Sequence, residues 1–96
     1  MENVVYFNEL YDLYGELLTD KQRAYFEDYY FNNLSFSEIA ENYDISRNAA
    51  FKQIHIVTSK LEEYENILKL REKRIKLLDI IKDAPEELKD KIENII

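Results

Sequence analysis

The chain has no cysteine, no tryptophan, one glycine and one proline among its 96 residues. Without cysteine, disulfides and thiolate metal sites are excluded. A single glycine excludes a glycine-rich phosphate loop, and with one proline little remains to interrupt helices. No apolar run reaches the roughly 20 residues of a membrane span, and the acidic opening is unlike a signal peptide. A cytoplasmic protein with no membrane insertion is expected. Material for catalysis is scarce as well. The only histidine, His55, has no acid three or four residues away, so neither an acid–base relay nor a metal pair is expected. The acids never take a calcium-loop spacing, and Ser35, Ser37 and Ser46 are explained as helix-start residues. No enzyme activity, cofactor or metal is therefore expected.

What is present is 46% hydrophobic and 34% charged residues, which suits one all-α helical bundle. The net charge is −7, against indiscriminate nucleic-acid binding. That charge is uneven: residues 1–45 carry a net −8 and residues 46–96 a net +1. From Ser46 to Leu61 there is no acid, while Arg47, Lys52 and Lys60 supply positive charge. A second basic cluster follows at Lys69, Arg71, Lys73, Arg74 and Lys76. Chance placement of solvated charge is the plain alternative.

The most informative stretch is residues 35–54. Ser35 caps a short helix and Glu38 completes a capping box; Ser46 caps a second helix. The first helix spans about two turns, so the chain must turn sharply after it, the spacing of a helix-turn-helix. Ile39 and Ala40 face inward, Ile45 plugs the turn, and Ala50 and Ile54 form the buried stripe of the second helix. Asp44 stands where a glycine is common in such turns, and tolerates positive φ better than most residues.

Elsewhere the pattern is one helix after another. Tyr6, Leu10, Leu13 and Leu17 recur at helical spacing, with Gly15 as a left-handed stop. Thr19 and Gln22 form a second capping box, opening a helix to about Phe31, and Asn32-Asn33 breaks it. From Arg47 the pattern continues to about Lys82, long enough to require a bend near Glu65–Lys69 or an arm leaving the body. Asp83, Pro85 and Glu86 then start a final helix, Asp83 as its cap. The expected layout is a helix-turn-helix domain over 1–64 and a C-terminal helical arm over 65–96. Two apolar stripes on that arm are wider than the body needs, which points to a two-fold homodimer through Tyr64, Leu68, Ile75 and Leu78. An arm folded back on its own body is the alternative. Eight tyrosines and five phenylalanines at helical spacing read as core filling, with a base-stacking platform as the other option.

The ordered set Leu17-Leu18-Thr19-Asp20-Lys21-Gln22-Arg23-Ala24-Tyr25, Tyr29-Tyr30, Leu34-Ser35, Glu38-Ile39-Ala40-Glu41, Ile45-Ser46-Arg47 and Leu61-Glu62-Glu63-Tyr64-Glu65 resembles the YlxM family of small bacterial proteins. The resemblance covers roughly Tyr11 to Leu70. It implies an all-helical, dimeric cytoplasmic protein whose helix-turn-helix is similar to region 4 of sigma factors, and a regulatory or accessory role in the signal recognition particle pathway. Two positions depart from the family pattern: His55-Ile56 stand where basic residues are usual, and Ala50 where a larger aliphatic is usual.

Three functions follow as expectations. In the first, the chain binds the particle's RNA or its GTPases. In the second, it is a DNA-binding transcriptional regulator with the second helix in a major groove. Both use a contact face of Arg47, Asn48, Phe51, Lys52 and His55. Arg47 and Asn48 sit where side chains reach base edges and backbone donors meet phosphate, and Lys52 and Lys60 serve as phosphate contacts. In the third, the chain is a protein–protein adaptor dimer with the helix-turn-helix as scaffold.

Overall fold

A computed structural model describes residues 3–96; Glu2, part of the acidic opening noted above, lies outside them. Among the described residues six α-helices follow one another: α1 (Val4–Tyr14), α2 (Asp20–Phe26), α3 (Phe36–Tyr43), α4 (Arg47–Leu68), α5 (Leu70–Ile80) and α6 (Glu86–Glu93). A 3₁₀ turn, Gly15–Leu17, joins α1 to α2, and a π-helical turn, Glu27–Phe31, extends α2. The fold is a small all-α bundle.

Three starts are set locally, as expected. Thr19 and Gln22 exchange side-chain and backbone hydrogen bonds at 3.0 and 3.1 Å, Ser35 and Glu38 do the same, and Ser46 Oγ accepts from Ala49 N–H at 3.0 Å. Such caps satisfy backbone donors that the first helical turn leaves open, each worth about 1 kcal/mol.

α4 is the spine. Its stripe Ala50, Ile54, Val57 and Leu61 recurs at four, three and four residues and is buried throughout. The upper half of that stripe packs with Tyr25, Ile39 and Ala40; the lower half packs with Leu10, Tyr14, Leu18 and Phe26. Val57 and Leu61 are fully buried, each contributing roughly 1.5–3 kcal/mol through removal from water. Leu61→Ala would leave a cavity at the centre of the lower cluster, at a cost of about 2–5 kcal/mol.

Three expectations are corrected. Gly15 is not a left-handed stop: its φ is −55°, and a β-carbon there would sit 3.1–3.3 Å from the Tyr11 ring. Leu17 does not continue the buried stripe; the 3₁₀ turn rotates it outward and buries Leu18 in its place. Asp83 does not cap α6. Pro85 is the N-cap, with no side-chain cap, because the residue before a proline avoids helical backbone and pushes the start past Ala84. The long C-terminal pattern, by contrast, breaks within the range expected for a bend: α4 ends at Leu68, and Lys69 takes a left-handed conformation (φ 55°, ψ 33°).

The break at Lys69 has a tertiary partner. Tyr14 Oη donates to Glu65 Oε1 at 2.6 Å and accepts from Leu70 N–H at 3.0 Å. Glu65 in turn accepts from Arg71 N–H and Glu72 N–H at 3.0 and 3.1 Å, so Tyr14 and Glu65 together cap α5. Arg71 pairs with Glu9 and lies over the Tyr6 ring at 4.9 Å, tying α5 to α1. The arm thus begins against its own body. α6 brings Ile95 and Ile96 to a groove shared with Leu13, Leu70 and Leu77.

Candidate nucleic-acid interface

The turn between α3 and α4 is built by Asp44, Ile45 and Ser46. Asp44 takes φ 54°, ψ 47°, the left-handed conformation a short polar side chain tolerates, and Ile45 N–H bonds back to Ala40 at 3.0 Å. Ile45 packs into the upper cluster, so the turn is anchored from inside. The first turn of α4 holds no acid, and its backbone dipole leaves a positive end equivalent to roughly half a charge.

On that end the helix exposes Arg47, Asn48, Phe51, Lys52 and His55. Residues 47, 51 and 55 recur every fourth position, so they share one line along the helix, with 48 and 52 beside it. Among the described residues, Arg47, Lys52 and Lys60 form no ion pair. The Arg47 guanidinium lies over the ring of Phe36 at 5.7 Å. That contact holds the charge at the mouth of the turn while leaving its hydrogen-bond donors open. Phe36 meets Phe51 edge-on at 5.4 Å, and Phe51 lies parallel to His55 at 6.4 Å. Phe51 is 49% exposed.

Lys60 stands apart. It lies eight residues beyond Lys52, about 12 Å along the axis, and turned toward the opposite flank of the buried stripe from Phe51. The four residues expected at a dimer contact are also divided. Leu68 and Ile75 are exposed and Leu78 is half-buried, whereas Tyr64 packs on the lower core cluster, 6.0 Å from the Tyr14 ring.

Two tyrosines near the face are held neutral. Burial, the neighbouring Tyr29 and the Glu62 charge push the Tyr30 hydroxyl up to about 12. Burial, a 2.9 Å hydrogen bond to Asp28 Oδ2 and the charge of that carboxylate push Tyr43 up to about 12. Both keep their protons at physiological pH and remain donors. Among the described residues, no group of three or more His, Asp or Glu side chains is placed to hold a metal ion, and no helix is long and apolar enough to cross a membrane.

A sharp turn between α3 and α4, with an open, acid-free N-terminus on the second helix, is helix-turn-helix geometry. The model of the UPF0122 family, helix-turn-helix proteins of YlxM / p13 type, matches residues 1–96. The chain belongs to the UPF0122 family. A UPF0122 protein of Halalkalibacterium halodurans is 40% identical over 90 residues, covering 91% of this chain and 83% of its own length. Relatives from Shouchella clausii and Bacillus thuringiensis are each 45% identical over 73 residues, which is 76% of this chain and 67% and 66% of theirs.

The UPF0122 helix-turn-helix carries groups that the sequence reading passed over. Phe36 supports both Arg47 and Phe51, and Tyr29 lies parallel to Phe36 at 4.9 Å. Glu62 lies on the same line of α4 as Phe51 and His55, lining a common groove with them. The helical period alone would have found Glu62, since positions 51, 55, 58 and 62 share a face. Phe36 and Tyr29 gave no such signal, because their meeting depends on how α3 packs against the π turn.

Proposed function

We propose that this UPF0122 protein binds nucleic acid, with α4 as the recognition helix and Arg47, Asn48, Phe51, Lys52 and His55 as its contact face. One observation carries the reading: an acid-free, cationic and amide-bearing N-terminus of α4 stands open on a body that is otherwise strongly negative. The acids of residues 1–45 repel phosphate from that half of the chain, so charge gives orientation as well as attraction. The pathway implied by the YlxM resemblance supplies the first probe, the RNA of the signal recognition particle, with duplex DNA as the competing target.

Salt titration of binding tests the reading. With three or four phosphates neutralised, affinity falls by roughly one to two decades between about 50 and about 200 mM salt. Lys52→Glu reverses one contact and weakens binding at least about tenfold, with the helical signal by circular dichroism unchanged. Equal affinity in wild type and variant removes the contact face.

The exposed ring of Phe51 favours a second reading, an adaptor that docks a protein of the pathway, such as one of its GTPases. Absence of binding to RNA and DNA at low salt, with retention on the immobilised GTPase, selects that reading. Dimerisation is part of the proposal in either case, supported by the exposed Leu68 and Ile75 on the arm.

A further inference from the structure

Beside the contact face lies a groove of about 370 Å³, bounded by α4, the start of α3, the π turn and the start of α1 at Asn3 and Phe7. Its walls are largely rings: Phe7, Tyr29, Tyr30, Phe36, Phe51 and His55. These rings already form a series. Tyr29 is parallel to Phe36 at 4.9 Å, Phe36 meets Phe51 edge-on at 5.4 Å, and Phe51 is parallel to His55 at 6.4 Å. Further along, Glu62 contributes the one carboxylate among the described lining residues and has no ion-pair partner among the described residues. From Arg47 to Glu62 the line runs about 22 Å along α4.

Charge decides what fits. A phosphate inside the groove meets the Glu62 carboxylate with no cation beside it, so a sugar–phosphate backbone is excluded there. A nucleobase is neutral, presents a π face to Phe51 and His55, and stacks without regard to sequence. A carboxylate at the groove wall accepts from the amino group of adenine, cytosine or guanine. Uracil offers only an N–H between two carbonyl oxygens, which repel the carboxylate. The cations, Arg47 and Lys52, sit outside the groove, where the backbone of such a strand runs. A base inside a duplex cannot enter without unstacking, which costs a few kcal/mol.

We propose that this groove holds an unpaired, amino-bearing nucleobase of a single-stranded segment whose phosphates lie on Arg47 and Lys52. The assignment rests on the nucleic-acid reading above and names its substrate class: single strands or loops, in preference to uninterrupted duplex.

The test uses the full chain and fluorescence anisotropy at low salt with four probes of about 12 nucleotides: oligoadenylate, its deoxy counterpart, oligouridylate, and the adenylate–uridylate duplex. Expected are binding of the adenylate strand, a loss of about tenfold or more for the duplex, and weaker binding of oligouridylate. The ribose and deoxyribose strands both report on the groove, and the tighter of the two names the sugar. Phe51→Ala, at an exposed position, weakens adenylate binding by about 5- to 100-fold while leaving the salt slope unchanged. Glu62→Ala tightens oligouridylate binding and levels the difference between the two homopolymers. If duplex and single strand bind equally and Phe51→Ala changes neither, the groove assignment fails while the nucleic-acid reading stands. If homopolymer preference survives in Glu62→Ala, the role of the carboxylate is overturned. If no probe binds, both fall together.

Discussion

Gly15 shows how a residue is chosen for the space it leaves. Its backbone is ordinary helix, but a β-carbon there would come within 3.1–3.3 Å of the Tyr11 ring. That ring has little room to yield, being stacked on Phe26 at 4.3 Å, set edge-on against Phe31 at 5.5 Å, and hydrogen-bonded through its hydroxyl to Glu27. Gly15→Ala lowers the backbone entropy of the unfolded chain, which favours folding, yet requires the Tyr11 ring to give by a few tenths of an ångström, and overpacking of this kind typically costs about 1–3 kcal/mol. The expected net is a loss of about 1 kcal/mol, read as a lower urea midpoint with an unchanged slope. Asp44 answers to the opposite constraint, conformation and not space. At φ 54° a glycine is free of strain and a β-branched residue is not. Asp44→Gly therefore holds or slightly raises stability, while Asp44→Val costs about 1–3 kcal/mol in the same measurement. Sequence reading found Asp44, because turn chemistry is local. It misassigned Gly15, whose reason is a ring packed from α1 onto the turn.

At the scale of elements, the same division separates the legible from the hidden. The capping residues Thr19, Ser35 and Ser46 act within three residues of themselves, and each opens the helix its spacing indicates. The end of α4 falls where the length of the pattern requires a bend, but what completes it is not local. Its pattern runs on without glycine or proline, and the partner that completes the break at Lys69 is Tyr14, more than 50 residues earlier. Tyr14→Phe keeps the buried ring and removes only the hydroxyl, leaving Leu70 N–H and Glu65 short of a partner. A loss of about 1–3 kcal/mol is expected, with faster amide exchange confined first to residues 70–72. Glu65 gives the junction a pH dependence. Burial alone raises its carboxyl, but the hydrogen bonds from Tyr14, Arg71 N–H and Glu72 N–H, with the Arg71 charge, outweigh burial and hold it below the ordinary carboxylate value. A group lowered in the folded state contributes stability that is complete above its unfolded value and is lost as pH falls through the lowered folded value. Thermal unfolding between about pH 6 and about pH 3 is therefore expected to fall more steeply for wild type than for Glu65→Gln, which lacks the titrating group. Parallel curves for the two proteins would remove Glu65 from the acid response.

The molecule as a whole is long, 53 × 25 × 23 Å, with its acids divided equally between the two halves of the chain and most of its bases in the second. The expected surplus of apolar surface on the arm is present in the folded chain. Ile67 is 69% exposed and Ile80 77%, with Leu68, Leu70 and Ile75 between them at 41–49%. No periodicity argument could decide whether such surface turns inward or outward. The Arg71–Glu9 pair, the Arg71–Tyr6 contact and the Tyr14–Glu65 cap bring the start of α5 onto α1, while these side chains stay outside. A run of apolar side chains this exposed within one short segment supports a partner surface, and a stable pair of copies buries more than about 1,000 Å² in all. The proposed two-fold contact, centred on Leu68 and Ile75, would lie on the arm, away from the N-terminal ends of both α4 helices. Leu68→Asp combined with Ile75→Asp places two charges in that contact without touching a buried residue. The expected result by light scattering is a halved mass, with circular dichroism and the Lys52-dependent binding of a single site retained. A wild-type chain of monomer mass, or a double variant of undiminished mass, removes the arm as the interface.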